Sequence, residues 1–175
     1  MKKLIFRGAG VAIVTPFTAD EINFPEFRRM IDHQIDHGTD AIIVAGTTGE
    51  AATMNDAEHK AAIKFAVETV RGRVPVIAGA GSNDTSYAIH LSQYSEQAGA
   101  DGLLLVTPYY NKCTQKGLVE HFRAIADSVS IPCILYDVPS RTGVSIKVPA
   151  YVELAKHPNI VAVKEANGDL SSILR

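Results

Sequence analysis

The stretch IVAVKEANG, residues 160–168, is an apolar run that closes on a lysine, Lys164. An ammonium group at the end of a strand that reads as buried has two uses. It snorkels into solvent on its own methylene stem, or it is held where it does chemistry. In the second case desolvation lowers its pKa, and the neutral amine attacks carbonyl carbon. The resulting iminium is an electron sink that lets the neighbouring carbon become an enamine. Period-two alternation places Lys164 on one face with Ala162 and Ile160, and Val161, Val163 and Glu165 on the other. Tyr136, in ILYDVP, shares a face with Ile134, and a phenol beside the amine would shuttle protons.

Three further stretches carry polar groups at the ends of apolar runs. In GTTGE (46–50), Thr47 and Thr48 offer two hydroxyls, and the loop from Gly46 onward offers backbone N–H groups, to a carboxylate. The same residues would make a plain turn whose glycines supply positive φ. In TPYYN (107–111), Tyr109 and Tyr110 are either an aromatic lid over the core or part of a site. Arg141, in PSRTG, is either a solvated loop residue or a bidentate carboxylate binder.

Other candidates are weaker. His33 and His37 have the i, i+4 spacing that suits a metal, but they lie opposite the apolar stripe of their helix and lack a third ligand nearby. A solvated helix face is the better reading, and no metal is expected there. His59 and His121 read as helix-surface residues. Cys113 sits in a loop with no base at short range.

The elements that must position these groups alternate along the chain. Strands read at 10–17, 41–46, 75–81, 102–108, 132–139 and 160–166. Between them lie amphipathic helices. Phe24, Phe27, Ile31 and Ile35 share one helical face, and Asn55 with Glu58 three residues later has the form of a capping box. Near-continuous apolar strands imply burial on both faces, as in a parallel sheet. A doubly wound nucleotide binder would carry a glycine fingerprint after its first strand; that position reads TPFTADEIN. The pattern therefore predicts the α/β class, as the first six βα units of a (β/α)8 TIM barrel, whose chemistry gathers at the carboxyl ends of the strands. A whole barrel takes about 250 residues. Residues 1–175 are thus expected to be a single barrel domain truncated at its C-terminus, ending within the sixth helix at DLSSILR. With two sheet edges and part of the interior exposed, an isolated chain of this length is expected to have low stability and weak activity.

Composition narrows the function classes. The chain has 175 residues and a formal net charge of −2, with no basic run to bind nucleic acid. It has no 18-residue apolar stretch to span a bilayer. Two cysteines make neither a disulfide framework nor a metal spacing, as expected of a cytosolic protein with free thiols.

Taken together, AGTTGEAATMNDAEH, VTPYYNK, ILYDVPSRTG and VAVKEANGDL resemble the class I aldolase superfamily of dihydrodipicolinate synthase and N-acetylneuraminate lyase. The match runs from residue 8 to the end in family order, and the arginine of SRTG, with TPYYN, points to its dihydrodipicolinate synthase branch. The resemblance implies that Lys164 forms a Schiff base with pyruvate. It implies that Tyr136, Thr47 and Tyr110 make a proton relay, with Tyr110 reaching in from a neighbouring subunit. Thr48 would help hold the pyruvate carboxylate and Arg141 the carboxylate of L-aspartate 4-semialdehyde, with Gly46 also in the substrate-binding set. It further implies a cytoplasmic homo-oligomer, dimer or tetramer, in diaminopimelate and lysine biosynthesis, without metal or organic cofactor. Asp137 departs from the asparagine usual in the family, with little effect expected because alternation turns it away from Tyr136. Tyr87 and Asp56 replace the glutamate and histidine of the family's lysine feedback site, so lysine inhibition is not expected, despite matching Asn83, His59 and Tyr109. The alternatives are a pyruvate aldolase acting on a sugar acid, against which Arg141 argues, and a non-catalytic half-barrel binding or assembly module.

Overall fold

The structure, a computed structural model, describes Lys2 and residues 4–174. Six strands form one parallel sheet in sequential order: β1 (Gly10–Ala12), β2 (Ala41–Val44), β3 (Val76–Gly79), β4 (Gly102–Val106), β5 (Cys133–Asp137) and β6 (Ile160–Glu165). The helices are α1 (Phe24–Asp36), α2 (Asp56–Val70), α3 (Thr85–Gln97), α4 (Gln115–Asp127), α5 (Pro139–Thr142), α6 (Val148–Leu154) and α7 (Leu170–Ile173). Parallel strands that neighbour in chain order, each followed by helix, are the wall of a barrel seen through six of its units. Arg175, at the end of the expected last helix, lies outside the described residues.

The two faces of the wall are separated by side-chain alternation. Ile42, Val44, Val76, Ala78, Leu103, Leu105 and Leu135 point outward into a core shared with the helices. Ile43, Ile77, Leu104, Ile134 and Tyr136 point inward and form a second cluster, against which Ile5 and Phe6 pack. The N-terminal segment thus lies against the barrel interior, and Lys2 donates through Nζ to the Ile160 carbonyl. Helix α1 buries Phe27 and Ile31 fully and Phe24 and Ile35 partly, as its periodicity predicts. Each fully buried Ile or Phe contributes roughly 1.5–3 kcal/mol over exposure. The capping box of α2 is formed: Glu58 N–H donates to Asn55 Oδ1 at 3.0 Å, and Asn55 N–H donates to Glu58 Oε2 at 2.9 Å.

Two local expectations change. The first strand is only three residues long; beyond Pro16 the chain turns, Phe17 bridging back to Ile22. In β6, Cys133 pairs with Ile160 while the next residue, Ile134, pairs with Ala162. Val161 is therefore an inserted bulge residue. Ile160 belongs to the outer core and does not share a face with Lys164, whereas Ala162 does.

Candidate active site

The chemistry-bearing residues gather at the carboxyl ends of β2, β4, β5 and β6. Tyr136 and Lys164 are register partners in the parallel pair β5–β6. Both point inward, which puts Lys164 Nζ 4.3 Å from the centre of the Tyr136 ring. Tyr136 is buried and Lys164 is half-buried. Burial pushes the Lys164 ammonium below the ordinary lysine value. No hydrogen bond or ion pair to a carboxylate holds the charge on it among the described residues. Desolvation acts in the direction that favours a neutral, nucleophilic amine.

Two cavities meet at this pair. One, of about 440 Å³, opens at the mouth and is lined by Gly46, Thr47, Tyr109, Tyr136 and Arg141 among others. The other occupies the barrel interior and is lined by Lys164 together with Ile43, Ile134 and Ala162. Leu104 lines both. The Lys164 amine of the interior cavity thus stands beside the Tyr136 phenol of the mouth cavity, whose wall also carries a hydroxyl, Thr47, and a guanidinium, Arg141.

The threonine loop is fixed from below. Ala45, at the end of β2, is buried with φ of 51°, in the left-handed region that non-glycine residues seldom adopt. This bends the chain so that the Ala45 carbonyl lies directly on Gly79 of β3; a Cβ there would fall 2.7 Å from the Ala45 carbonyl carbon. Inside the loop, Gly49 N–H donates to Gly46 O at 3.1 Å. The Thr15 hydroxyl donates to Gly49 O at 2.9 Å. Thr47 is exposed toward the cavity, and among the described residues its hydroxyl has no hydrogen bond to Tyr136. Thr48 is exposed and is not among the cavity's lining residues.

Tyr110 behaves differently from the rest. It is 90% exposed, with φ of 72°, and does not line the cavity of its own chain. A left-handed backbone at an aromatic residue stores roughly 1–3 kcal/mol. The neighbouring Tyr109 does line the cavity. Arg141 projects from α5, whose Pro139 opens the helix directly after β5.

Two histidines are corrected. His59 and His121 are not surface residues: they are 5% and 6% exposed. His59 lines the mouth cavity and shares a 2.8 Å hydrogen bond, through Nε2, with Gly79 O. The signal was present in the helical phase, since His59 lies in register with the buried Ala62, Ile63, Ala66 and Val70, and His121 with Leu118, Phe122 and Ile125. His33 on α1 and His37 at its C-terminal cap do stand exposed. Cys113 is half-buried and its thiol is pushed up by burial, away from reactivity.

His121 gives a pH prediction. Its Nδ1 shares a 2.8 Å hydrogen bond with the Thr85 hydroxyl, while its buried Nε2 has no partner. Burial lowers its pKa from 6.5 to about 4. The unfolded chain binds this proton more readily than the folded one. The stability due to neutral His121 is therefore full above pH 6.5 and is lost progressively as pH falls toward 4, by up to about 3 kcal/mol. Urea denaturation across that range should show this slope in the wild type and a flatter one in His121→Gln.

Comparison with known proteins identifies the family. The model of the dihydrodipicolinate synthetase family matches residues 5–175. The 4-hydroxy-tetrahydrodipicolinate synthase of Acetivibrio thermocellus is 57% identical over 177 residues, covering 99% of this chain and 61% of that protein. The crystal structure of dihydrodipicolinate synthase from Aquifex aeolicus superposes with a TM-score of 0.94 at 47% identity, over 96% of this chain and 58% of that one. The Acinetobacter baumannii enzyme, solved in complex with pyruvate, superposes with a TM-score of 0.93 at 45% identity, over 97% and 58% respectively. The chain thus spans about three-fifths of the length of the relatives it matches.

Proposed function

Because the chain belongs to the dihydrodipicolinate synthetase family, we propose that it belongs to a 4-hydroxy-tetrahydrodipicolinate synthase, and that residues 1–175 form part of that enzyme's single barrel domain. The observation that carries this reading is the inward pair of Lys164 and Tyr136, 4.3 Å apart at the cavity mouth. The neutral Lys164 amine attacks the ketone carbon of pyruvate, and loss of water gives the iminium. Tyr136 serves the proton transfers of these steps, in relay with Thr47. Loss of a methyl proton gives the enamine, whose carbon attacks the aldehyde of L-aspartate 4-semialdehyde. The amino group of that substrate then attacks the iminium carbon, closes the ring and frees Lys164. Gly46 and Thr48 hold the pyruvate carboxylate, and Arg141 takes the carboxylate of the second substrate.

Tyr110 completes the relay from a neighbouring subunit in this reading. Its exposure and strained backbone support such a role, since a ring held out in solvent gains nothing within its own chain. The protein is accordingly a homo-oligomer, working in the cytoplasm in lysine and diaminopimelate biosynthesis without metal or organic cofactor. Among the described residues no helix is long and apolar enough to cross a membrane. Intact mass after incubation with pyruvate and sodium borohydride tests the reading. A reduced pyruvate adduct is the expected result, and its absence from folded protein in full-length context would sink it.

A further inference from the structure

The chain before β1 folds back across the amino ends of the strands. Lys2 reaches the Ile160 carbonyl at the start of β6, Ile5 lies against β4, and Phe6 lies against β1. Two glycines leave the space for these side chains. A Cβ at Gly102, the first residue of β4, would stand 3.3 Å from both Ile5 Cδ1 and Ile77 Cδ1. A Cβ at Gly10, the first residue of β1, would stand 2.8 Å from Phe6 Cζ. Glycine in a strand marks a place where another group comes close, and here both groups belong to one segment. The fold-back turns at Gly8, whose φ is 107°. A Cβ there would lie 2.6 Å from Asp40 Cγ. Asp40 holds the next residue twice: its Oδ2 accepts from Ala9 N–H, and its own N–H donates to Ala9 O, each at 2.8 Å.

This segment is one wall of the interior cavity, of about 380 Å³. Ile5 and Phe6 line it from the amino end, and Ile43, Leu104 and Ile134 from the strands. Lys164 is the only polar side chain among its described lining residues. The groups around that amine are few. Tyr136 faces it with its ring. Arg141, His59 and Tyr109 line the other cavity, at the mouth. Asp137 and Glu165 face outward, where Tyr151 on α6 donates to Glu165 Oε2 at 3.1 Å and lies 3.5 Å from Asp137 Oδ2. From β1 the cavity receives Gly10 and Ala12, which do not titrate. Burial is what pushes the Lys164 ammonium down, so whatever keeps water out of this cavity acts on the amine.

We propose that residues 4–8 are the floor of the active site, keeping water from reaching the Lys164 amine from the amino end of the strands, and that Phe6 is a positioning residue that acts through Lys164. The catalytic consequence rests on the reading of Lys164 as the Schiff-base nucleophile. Phe6 and Lys164 line opposite ends of one apolar space, so a gap opened at Phe6 admits solvent beneath the amine. The ammonium form then regains hydration, and the nucleophilic form is depleted at neutral pH.

The amine can be titrated without pyruvate. The full-length protein is acetylated with acetic anhydride at a series of pH values, and the Lys164 peptide is followed by mass spectrometry. In the wild type the inflection should lie below the ordinary lysine value of 10.5. In Phe6→Ala it should move up toward that value, and acetylation of Lys164 at pH 7 should slow by about three- to tenfold, tenfold corresponding to one pKa unit. Phe6→Leu refills the gap with an apolar side chain and should restore the wild-type profile. Gly8→Ala leaves the cavity's side chains unchanged but drives a Cβ into Asp40, and should reproduce the Phe6→Ala shift by displacing the segment. Circular dichroism checks that each variant is folded, and Phe6→Val replaces Phe6→Ala if alanine is not tolerated. A wild-type inflection at 10.5 or above overturns the proposal. So does an unmoved inflection in a folded Phe6→Ala, Phe6→Val or Gly8→Ala, or a Phe6→Leu profile that matches alanine. Borohydride trapping of pyruvate should slow in parallel at pH 7; a trapping rate that stays at the wild-type level while the amine shifts overturns the role of Phe6 in catalysis. A shifted amine in a protein that forms no pyruvate adduct at any pH would keep the floor and remove only the Schiff-base reading.

Discussion

Lys164→Ala is expected to abolish the pyruvate adduct trapped by borohydride and to lower turnover by about 10³-fold or more. No other group at the mouth can take over. The described cavity offers phenols, hydroxyls, an imidazole and a guanidinium, none of which forms an iminium. Losing a covalent nucleophile removes the whole reaction path and not an increment of binding, so the fall should appear in kcat. Lys164→Arg separates charge from nucleophilicity. It restores a cation near the Tyr136 ring but not an amine, and should be as inactive as alanine. In the wild type the trapping rate should rise with pH as the amine loses its proton, with an inflection below the ordinary value of 10.5. An inflection at or above that value would mean that Lys164 is solvated, and the snorkelling alternative would win.

Gly79→Ala should be the most damaging single-methyl change near the site, costing about 3 kcal/mol or more and unseating the threonine loop. The added Cβ would overlap the Ala45 carbonyl oxygen and lie 3.0 Å from Gly46 N. These are backbone atoms at the turn into the loop, with no rotamer to yield. Relief requires β2 and β3 to part, or Ala45 to leave its left-handed conformation. Either movement shifts Thr47, and also strains the hydrogen bond between His59 and the Gly79 carbonyl. Overpacking in a close-packed interior costs in this range. Chemical denaturation together with adduct formation checks it. A variant as stable as wild type would show that the Ala45–Gly79 approach is loose. Gly72, with open space around it, is the control position in packing terms, although its positive φ of 72° carries a backbone cost of its own.

Much of this molecule was legible from residue order alone. Apolar runs about one βα unit apart dictate six parallel strands, because strands buried on both faces need no polar alternation. The α1 stripe and the α2 capping box follow from spacing within a single helix, where every partner is local. The residues at the strand ends, Thr47, Tyr136, Arg141 and Lys164, were identifiable by type and place. The inward direction of Tyr136 followed from strict alternation along an unbroken strand.

What only the tertiary structure decided depends on pairing between distant segments. The bulge at Val161 is invisible in β6 itself, since it exists only as a mismatch of register with β5. One inserted residue reverses the face of Ile160 and leaves Lys164 inward. The burial of His59 and His121 was present in helical phase but overridden by their polarity. A ring nitrogen can be buried cheaply only where a carbonyl or hydroxyl waits, and Gly79 O and the Thr85 hydroxyl come from other elements. The crowding of two carboxyls on Tyr151 likewise arises from three segments meeting. Local patterns thus set which elements form and which groups stand at their ends. Register between strands and contact between layers set which of those groups meet, because hydrogen bonding and desolvation are properties of neighbours in space, not in sequence.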